Sequence, residues 1–395
     1  MVQREVDMLQ ARLHPNITPL LGNFYAGLES PNSADSPTRS LYLFSPLAIK
    51  DMESWFKDGY ISMRTDQLRQ FLYSEAMLGL ASGLTYIHRE INGRVGYHRD
   101  IKPSNFLLFN ETGGTQVWKI CDFGSSNLKS PDDTGTTNKV TTRYWAPAEY
   151  FMDSSSENGQ SHGRSHDVFS LGCVFLELAT ILHRRREGLL KFKKLRGEDE
   201  AYPANLKEAP QGAFCKSMAT VHAWVEELLG ECIRDDDKKI LAVIEEMLLP
   251  RNERIYTWEV EIDLFILSSP TRSCNEINKR LRGIIQESRG YDHQMKHNPY
   301  VRAQKKIESQ TNNGEPMLRS DEFLSIISDA SWRCFTPQST TGSFKLSSNP
   351  QKTLSNIRSA SQADTLFGRQ DLYESISDSF NLSDIVALYG LGGVG

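Results

Sequence analysis

Hydrophobic positions along this 395-residue chain follow one regime up to about residue 267 and another after it. In the first, Leu68, Leu72, Ala76, Leu80, Leu84 and Ile87 recur at spacings of three or four, which predicts a long helix over 67–88 with one buried face. The stretch "HDVFSLGCVFLELATIL", residues 166–182, is apolar nearly all round and predicts a helix buried in the centre of a lobe. "VQREVDMLQARL" is helical in pattern and is ended by "HPN". "ITPLLGNFYA" and "SLYLFSPL" read as strands, joined by the polar tip "LESPNSADSPTRS". Two strands ahead of a mostly helical lobe make residues 1–267 one folded unit, of class α+β.

From residue 268 the pattern thins. "CNEINKRLRGIIQ" and "SDEFLSIISDA" fit short amphipathic helices, the second with Ser320 as its N-cap. Around them lie polar stretches such as "TPQSTTGSFKLSSNPQKTLSNIRSASQADT", with too little apolar content to pack, so 268–364 reads as a linker, partly disordered. Order resumes over 365–395 with "LFGRQDLYESISDSF" and the strand-like "DIVALY". No internal repeat is present.

Composition narrows the function classes only slightly. Apolar residues make up 39% and charged residues 24%, ordinary for a globular protein. A net charge of −5 gives no global reason to expect nucleic acid or an anionic membrane surface as partner. No apolar run approaches bilayer-crossing length, and residues 1–25 lack the charged-then-apolar layout of a signal peptide. The six cysteines, at 121, 173, 215, 232, 274 and 334, form no CxxC pair and read as reduced thiols of a cytoplasmic protein.

Candidate chemistry concentrates in "YHRDIKPSNFLLF", residues 97–109, and "KICDFG", residues 119–124. An Asp in a rigid loop can orient a hydroxyl and accept its proton. A Lys two residues on can steady a transferring phosphoryl group, while an Asn and a second Asp can hold Mg²⁺. Phosphoryl transfer asks for in-line positioning and neutralised phosphate charge rather than covalent help from the protein.

These residues resemble the eukaryotic protein kinases. "HRDIKPSN" matches that family's catalytic loop, "DFG" its metal-binding turn and "DVFSLGC" the central helix of its large lobe, in the family's order and spacing. "REVDMLQARLHPNI" is similar to the αC helix and the turn after it. The resemblance implies a kinase-like fold made mainly of the helical large lobe, with a partial small lobe. It implies Asp100 as base, Lys102 as the γ-phosphate contact, Asn105 and Asp122 as Mg²⁺ ligands and Glu5 as the ion-pairing glutamate. ATP and Mg²⁺ follow as cofactors, and a protein hydroxyl as acceptor, with Lys102 favouring Ser/Thr over Tyr. Leu9, His98, Phe123 and Asp167 fall where the family stacks its regulatory spine.

Two departures stand out. In "TTRYWAPAEY" Ala148 occupies the place of the family's Glu, and Glu149 comes one step late. Arg254 in "RNERIYTWEV" is its candidate partner, and an unpaired buried Arg would be costly, so the pair is expected to form. Nothing upstream of Glu5 matches a glycine-rich loop or the strand lysine that meets this glutamate. That predicts a piece of a longer polypeptide.

Several smaller signals read as structure. By the resemblance Thr142 hydrogen-bonds the catalytic Asp and Lys, while Thr134, Thr136 and Thr137 divide between phosphosites and loop polarity. The basic run "HRRREGLLKFKKLR" reads as a solvated face balanced by "GEDE" rather than a dock for acidic substrates. His293 and His297 lack further ligands nearby and read as surface residues. The final "IVALYGLGGVG" fits a kinase glycine loop, a dinucleotide site or a P-loop. The upstream "LFGRQDLYESI" is similar to the box preceding the P-loop strand in NB-ARC and NACHT-type, NLR-like signalling NTPases, which selects the P-loop, with Gly390 and Gly395 in its GxxxxG frame. That resemblance implies the first strand of a P-loop α/β domain and self-association through it. Two functions follow: a Ser/Thr protein kinase within a larger signalling protein, or an inactive kinase-like binding module attached to the NTPase.

Overall fold

The computed structural model describes residues 14–27, 39–91, 94–111, 113–129, 143–151, 163–199 and 202–268, with 279, 280 and 283. Strand β1 (Gly22–Gly27) pairs antiparallel with β2 (Arg39–Phe44), Gly22 opposite Phe44 and Gly27 opposite Arg39. The strand predicted over "ITPLLGNFYA" thus starts late. Ile17 instead bridges Ile120 in parallel, and the Thr18 N–H donates to the Ile120 carbonyl at 2.9 Å. Two further antiparallel sheets went unannounced by the hydrophobic pattern. One orders β3 (Lys50–Asp51), β6 (Phe106–Asn110) and β7 (Gln116–Ile120); the other orders β4 (Glu90–Ile91), β5 (Arg94–Tyr97) and β8 (Asn127–Lys129). Strands of two to five residues offer too few alternations for a period to show.

Helix α1 (Met52–Asp58) starts at Asp51, whose carboxylate caps it by accepting the Ser54 N–H at 2.8 Å. The helix predicted over 67–88 is continuous but not uniform: α2 (Thr65–Gln70), a π-helical stretch Phe71–Met77, then α3 (Leu78–His88). Its predicted face is inaccessible to solvent at Leu68, Leu72, Ala76, Leu80, Leu84 and Ile87. The wide turn adds Tyr73 and Met77 to that buried set. Tyr73 uses the interior position to donate its hydroxyl to Asp237 Oδ1 at 2.7 Å, while Arg69 grips the same carboxylate through Nε and Nη2 at 2.8 and 3.1 Å.

The lobe is built round α4 (Arg164–Glu198), with α5 (Met218–Glu231) and α6 (Asp235–Leu248) packed against it and α7 (Thr257–Leu267) packed against α3 and α6. Every residue from His166 to Leu182 is buried, as an all-round apolar helix requires. By length and composition α4 contains an 18-residue window apolar enough to cross a bilayer, which corrects the expectation that no run approaches that length. Since 94% of that window is buried in the lobe, α4 occupies the situation of a core helix. It breaks at Arg185, whose φ of 54° and ψ of −158° are not helical.

The basic run that contains this break is only partly the solvated face expected of it. Arg186, Lys191 and Lys194 are exposed, but Arg196 is buried, its guanidinium 3.6 Å from the Phe214 ring centre. Arg184 pairs with Glu227 at 2.8 Å and with Glu231, and lies 4.3 Å over Trp224. Glu227 and Glu231 of α5 balance Arg184, while Lys194 pairs with Glu198 of "GEDE" at 3.6 Å as expected.

Gly172 lies where α4 approaches α6 closely: a Cβ there would stand 2.8 Å from Met247 Cβ. Gly172→Ala should therefore overpack the crossing and lower stability by roughly 1–3 kcal/mol. Urea unfolding would show this as a lower midpoint at unchanged slope, and a wild-type midpoint would contradict the close packing.

Candidate active site

The candidate loop hangs from one buried carboxylate. Asp167, in the first turn of α4 and fully buried, accepts the backbone N–H groups of His98 at 2.8 Å and Arg99 at 2.7 Å. His88, at the end of α3, adds Nε2 at 2.9 Å. Burial alone would raise the pKa of Asp167, but His166 and His88 hold its carboxyl well below the usual carboxylate range. His166 Nδ1 stands 3.8 Å away, beyond hydrogen-bond reach, so its effect is electrostatic. To meet this carboxylate the chain turns left-handed at Arg99, with φ of 69°, a strain that the charge-assisted bonds offset.

The next residues converge. Lys102 Nζ donates to Asp100 Oδ2 at 2.8 Å, and Asn105 Nδ2 donates to the Asp100 carbonyl at 2.7 Å and to Oδ2 at 3.1 Å. A single helical turn, Pro103–Asn105, sets this spacing, with proline opening it. Asn105 is buried and spends its amide hydrogens on Asp100, which turns its Oδ1 away from those bonds. The Asn105 carbonyl accepts the Cys121 N–H at 3.0 Å, tying the loop to the segment that carries Asp122.

Asp122 is exposed and left-handed, with φ of 62°, and caps the short turn Phe123–Ser125 by accepting the Gly124 N–H at 3.3 Å. His98 bridges the two segments. Its Nδ1 accepts the Asp100 N–H at 3.3 Å, so the ring proton sits on Nε2, which donates to the Cys121 carbonyl at 2.9 Å. The Phe123 ring packs against His98 at 5.0 Å. An amide oxygen from Asn105 and a carboxylate from Asp122 are hard oxygen donors on linked segments, and that donor chemistry fits Mg²⁺.

Beside the loop, the segment 143–151 is anchored to the lobe by buried charge. Arg254 Nη1 donates to Glu149 Oε1 at 2.7 Å and to the Ser165 carbonyl at 2.8 Å, so the displaced glutamate does reach its arginine. Burial pushes the Glu149 pKa upward, but Arg254 more than compensates and lowers it. Trp145 donates its indole N–H to Glu177 on α4 at 3.3 Å.

Of the residues singled out in the sequence, Asp100, Lys102 and Asn105 come into direct contact, and Asp122 joins them through backbone. Glu5, Leu9, Thr134, Thr136, Thr137, Thr142, His293, His297, Gly390 and Gly395 lie outside the described residues. His88 and Glu177 were missed. Each is a polar residue in an apolar helix, a signal present in "GLTYIH" and "VFLELAT" but lacking any partner visible in one dimension. His183, Cys232 and Asp237 bring potential ligand atoms within 4.8 Å of one another, yet Asp237 is already committed to Arg69 and Tyr73. That cluster is a polar joint between helices.

Comparison with known proteins identifies the family. The protein kinase domain family matches residues 1–248. The chain is 28% identical over 231 residues to the serine/threonine-protein kinase crk1 of Schizosaccharomyces pombe, covering 56% of each chain. It is 32% identical over 175 residues to the mitogen-activated protein kinase mpkC of Aspergillus terreus, covering 44% of this chain and 38% of that one. Against the mitogen-activated protein kinase homolog NTF3 of Nicotiana tabacum it is 26% identical over 237 residues, covering 55% and 58%. The chain thus spans less than two thirds of the length of these relatives.

Arg254→Ala would strand Glu149 in the interior and should cost roughly 3–5 kcal/mol, whereas Glu149→Gln with Arg254→Met removes both charges and should recover most of it. A folded-state pKa below the unfolded value means the stabilisation is present above pH ~4.3 and is lost as pH falls through the lower folded value. The double variant should therefore lose less stability than wild type on acidification, measured by urea unfolding at pH 7 and pH 3.5. Parallel losses would show that Glu149 is not held in its charged form.

Proposed function

The chain belongs to the protein kinase family, with serine/threonine kinases among its relatives, and on that premise we propose that it transfers the γ-phosphoryl group of ATP to serine or threonine hydroxyls of a protein. The observation that carries this reading is the Asp100 carboxylate, fixed by Lys102 and Asn105 on a loop that α4 holds rigid. In the proposed reaction the acceptor hydroxyl oxygen forms a bond to the γ-phosphorus as the bond from that phosphorus to the β,γ-bridging oxygen breaks. ADP leaves with the electron pair. Asp100 orients the hydroxyl and takes its proton, and Lys102, with its ammonium beside that carboxylate, neutralises charge on the transferring oxygens. Mg²⁺, when held by Asn105 and Asp122, supplies charge neutralisation on the phosphates. Glu5 completes the reading as the partner of a strand lysine.

Residues 1–267 would then be the kinase unit, 268–364 a linker and 365–395 the opening of an NB-ARC or NACHT-type NTPase through which the protein self-associates. That part rests on "LFGRQDLYESI" followed by "IVALYGLGGVG", with Gly390 and Gly395 in the phosphate loop. An intracellular site of action rests on the free thiols of Cys121, Cys173, Cys215 and Cys232.

Asp100→Asn should lower phosphoryl transfer to a generic protein substrate by about 10²–10⁴-fold with nucleotide affinity little changed, since the base acts in the transition state. Asp122→Asn should weaken Mg-ATP binding itself. Radiolabelled transfer and equilibrium nucleotide binding, run side by side, check both. Wild-type transfer by the Asp100 variant would remove the assigned base.

A further inference from the structure

Arg280 lies past α7 and past the residues that match the kinase family, yet its guanidinium acts inside the lobe. Its Nη2 donates to Ser82 Oγ on α3 at 2.9 Å and also pairs with Glu261 on α7. Glu261 is fully buried, and its Oε2 meets no hydrogen-bond donor among the described residues. A carboxylate so placed needs a cation, and the segment after the lobe provides it.

The same contact reaches toward the candidate site. Ser82 Oγ is also 3.2 Å from His14 Nε2, while His14 Nδ1 accepts the Asn16 N–H at 3.1 Å. This arrangement requires a neutral ring with its proton on Nε2. Burial, and then the charges of Arg280, Arg89 and Lys119, lower the His14 pKa to about 4 and keep the ring neutral. The turn held in this way grips β7 at three points. Asn16 Nδ2 donates to the Trp118 carbonyl at 2.9 Å, Lys119 Nζ to the Pro15 carbonyl at 2.8 Å, and the Ile120 N–H to the Asn16 carbonyl at 2.8 Å. Two residues beyond Ile120 stands Asp122.

We propose that Arg280 is a positioning residue: it ties position 280 to α3 and α7 and, through Ser82 and His14, fixes the turn at 14–17 against the strand that runs into Asp122. The path is contiguous and made of directional bonds, so displacement of the downstream segment is felt at β7. It stands on contacts alone and holds whether or not the chain transfers phosphate.

The competing account is that Arg280 merely neutralises Glu261. Two variants of the full chain separate them. Glu261→Gln with Arg280→Gln removes both charges, and Ser82→Ala leaves the ion pair intact while cutting the link to His14. Amide hydrogen exchange at Ile17, Thr18 and Ile120 should accelerate by about tenfold or more in both variants, while amides of α4 exchange as in wild type. In the double variant the NMR titration midpoint of His14 should also rise, because a neighbouring cation is gone. Wild-type exchange at those three amides in Ser82→Ala would overturn the proposal, even if the double variant failed to fold.

Discussion

A carboxylate cannot remain charged in a protein interior without donors, and Asp167 is such a carboxylate at the start of α4, which is buried at every residue from His166 to Leu182. Its donors are the backbone amides of His98 and Arg99 and the imidazole of His88. Those amides can point inward only because Arg99 takes a left-handed conformation, which by itself costs about 1–2 kcal/mol for a residue with a side chain. Buried charge and strained loop satisfy each other. The consequence is that Asp100, one residue on, is aimed by the core of the lobe rather than by its own surroundings.

Other buried charges in the lobe follow the same logic and anchor what lies around that loop. Glu149 meets Arg254 between α6 and α7, which pins the segment 143–151. Glu177, ten residues after Asp167 on α4, holds Trp145 of that segment. Asp237 at the start of α6 gathers Arg69 and Tyr73. One buried helix thus touches both sides of the candidate site, with Asp167 turned to the Asp100 loop and Glu177 to the neighbouring segment. Arg280 extends the pattern beyond α7, where Glu261 again demands a cation from another part of the chain.

The two metal-ligand candidates differ in how they are held. Asn105 is buried and its amide is oriented by Asp100, so its position is set by the rigid loop. Asp122 is exposed, left-handed and held mainly by its own turn and by the Cys121 backbone. A ligand pair of this kind combines one fixed member with one adjustable member. Mg²⁺ demands near-ideal geometry, and adjustment at Asp122 is the less costly way to reach it.

Sequence alone carried the elements whose information is local. The all-round apolar run at 166–182 marked a helix with no solvent face, and the period over 67–88 by itself marks the face that packing buries. Asp100, Lys102, Asn105 and Asp122 were legible because a loop packs its chemistry within a few residues and a fixed order. Bonds between distant residues left no local trace. His88 reaching Asp167 and Glu177 reaching Trp145 span 79 and 32 positions, and Arg280 reaching Ser82 spans 198. The pair Glu149–Arg254 was foreseen from the resemblance of "APAE" and "RNER" to the family's pattern and from the cost of an uncompensated arginine. The π-helical stretch, the two-residue strands and the diversion of Ile17 to Ile120 were decided by tertiary packing. Hydrophobic period reports which face is buried, whereas a hydrogen bond or ion pair depends on what the fold brings opposite that face.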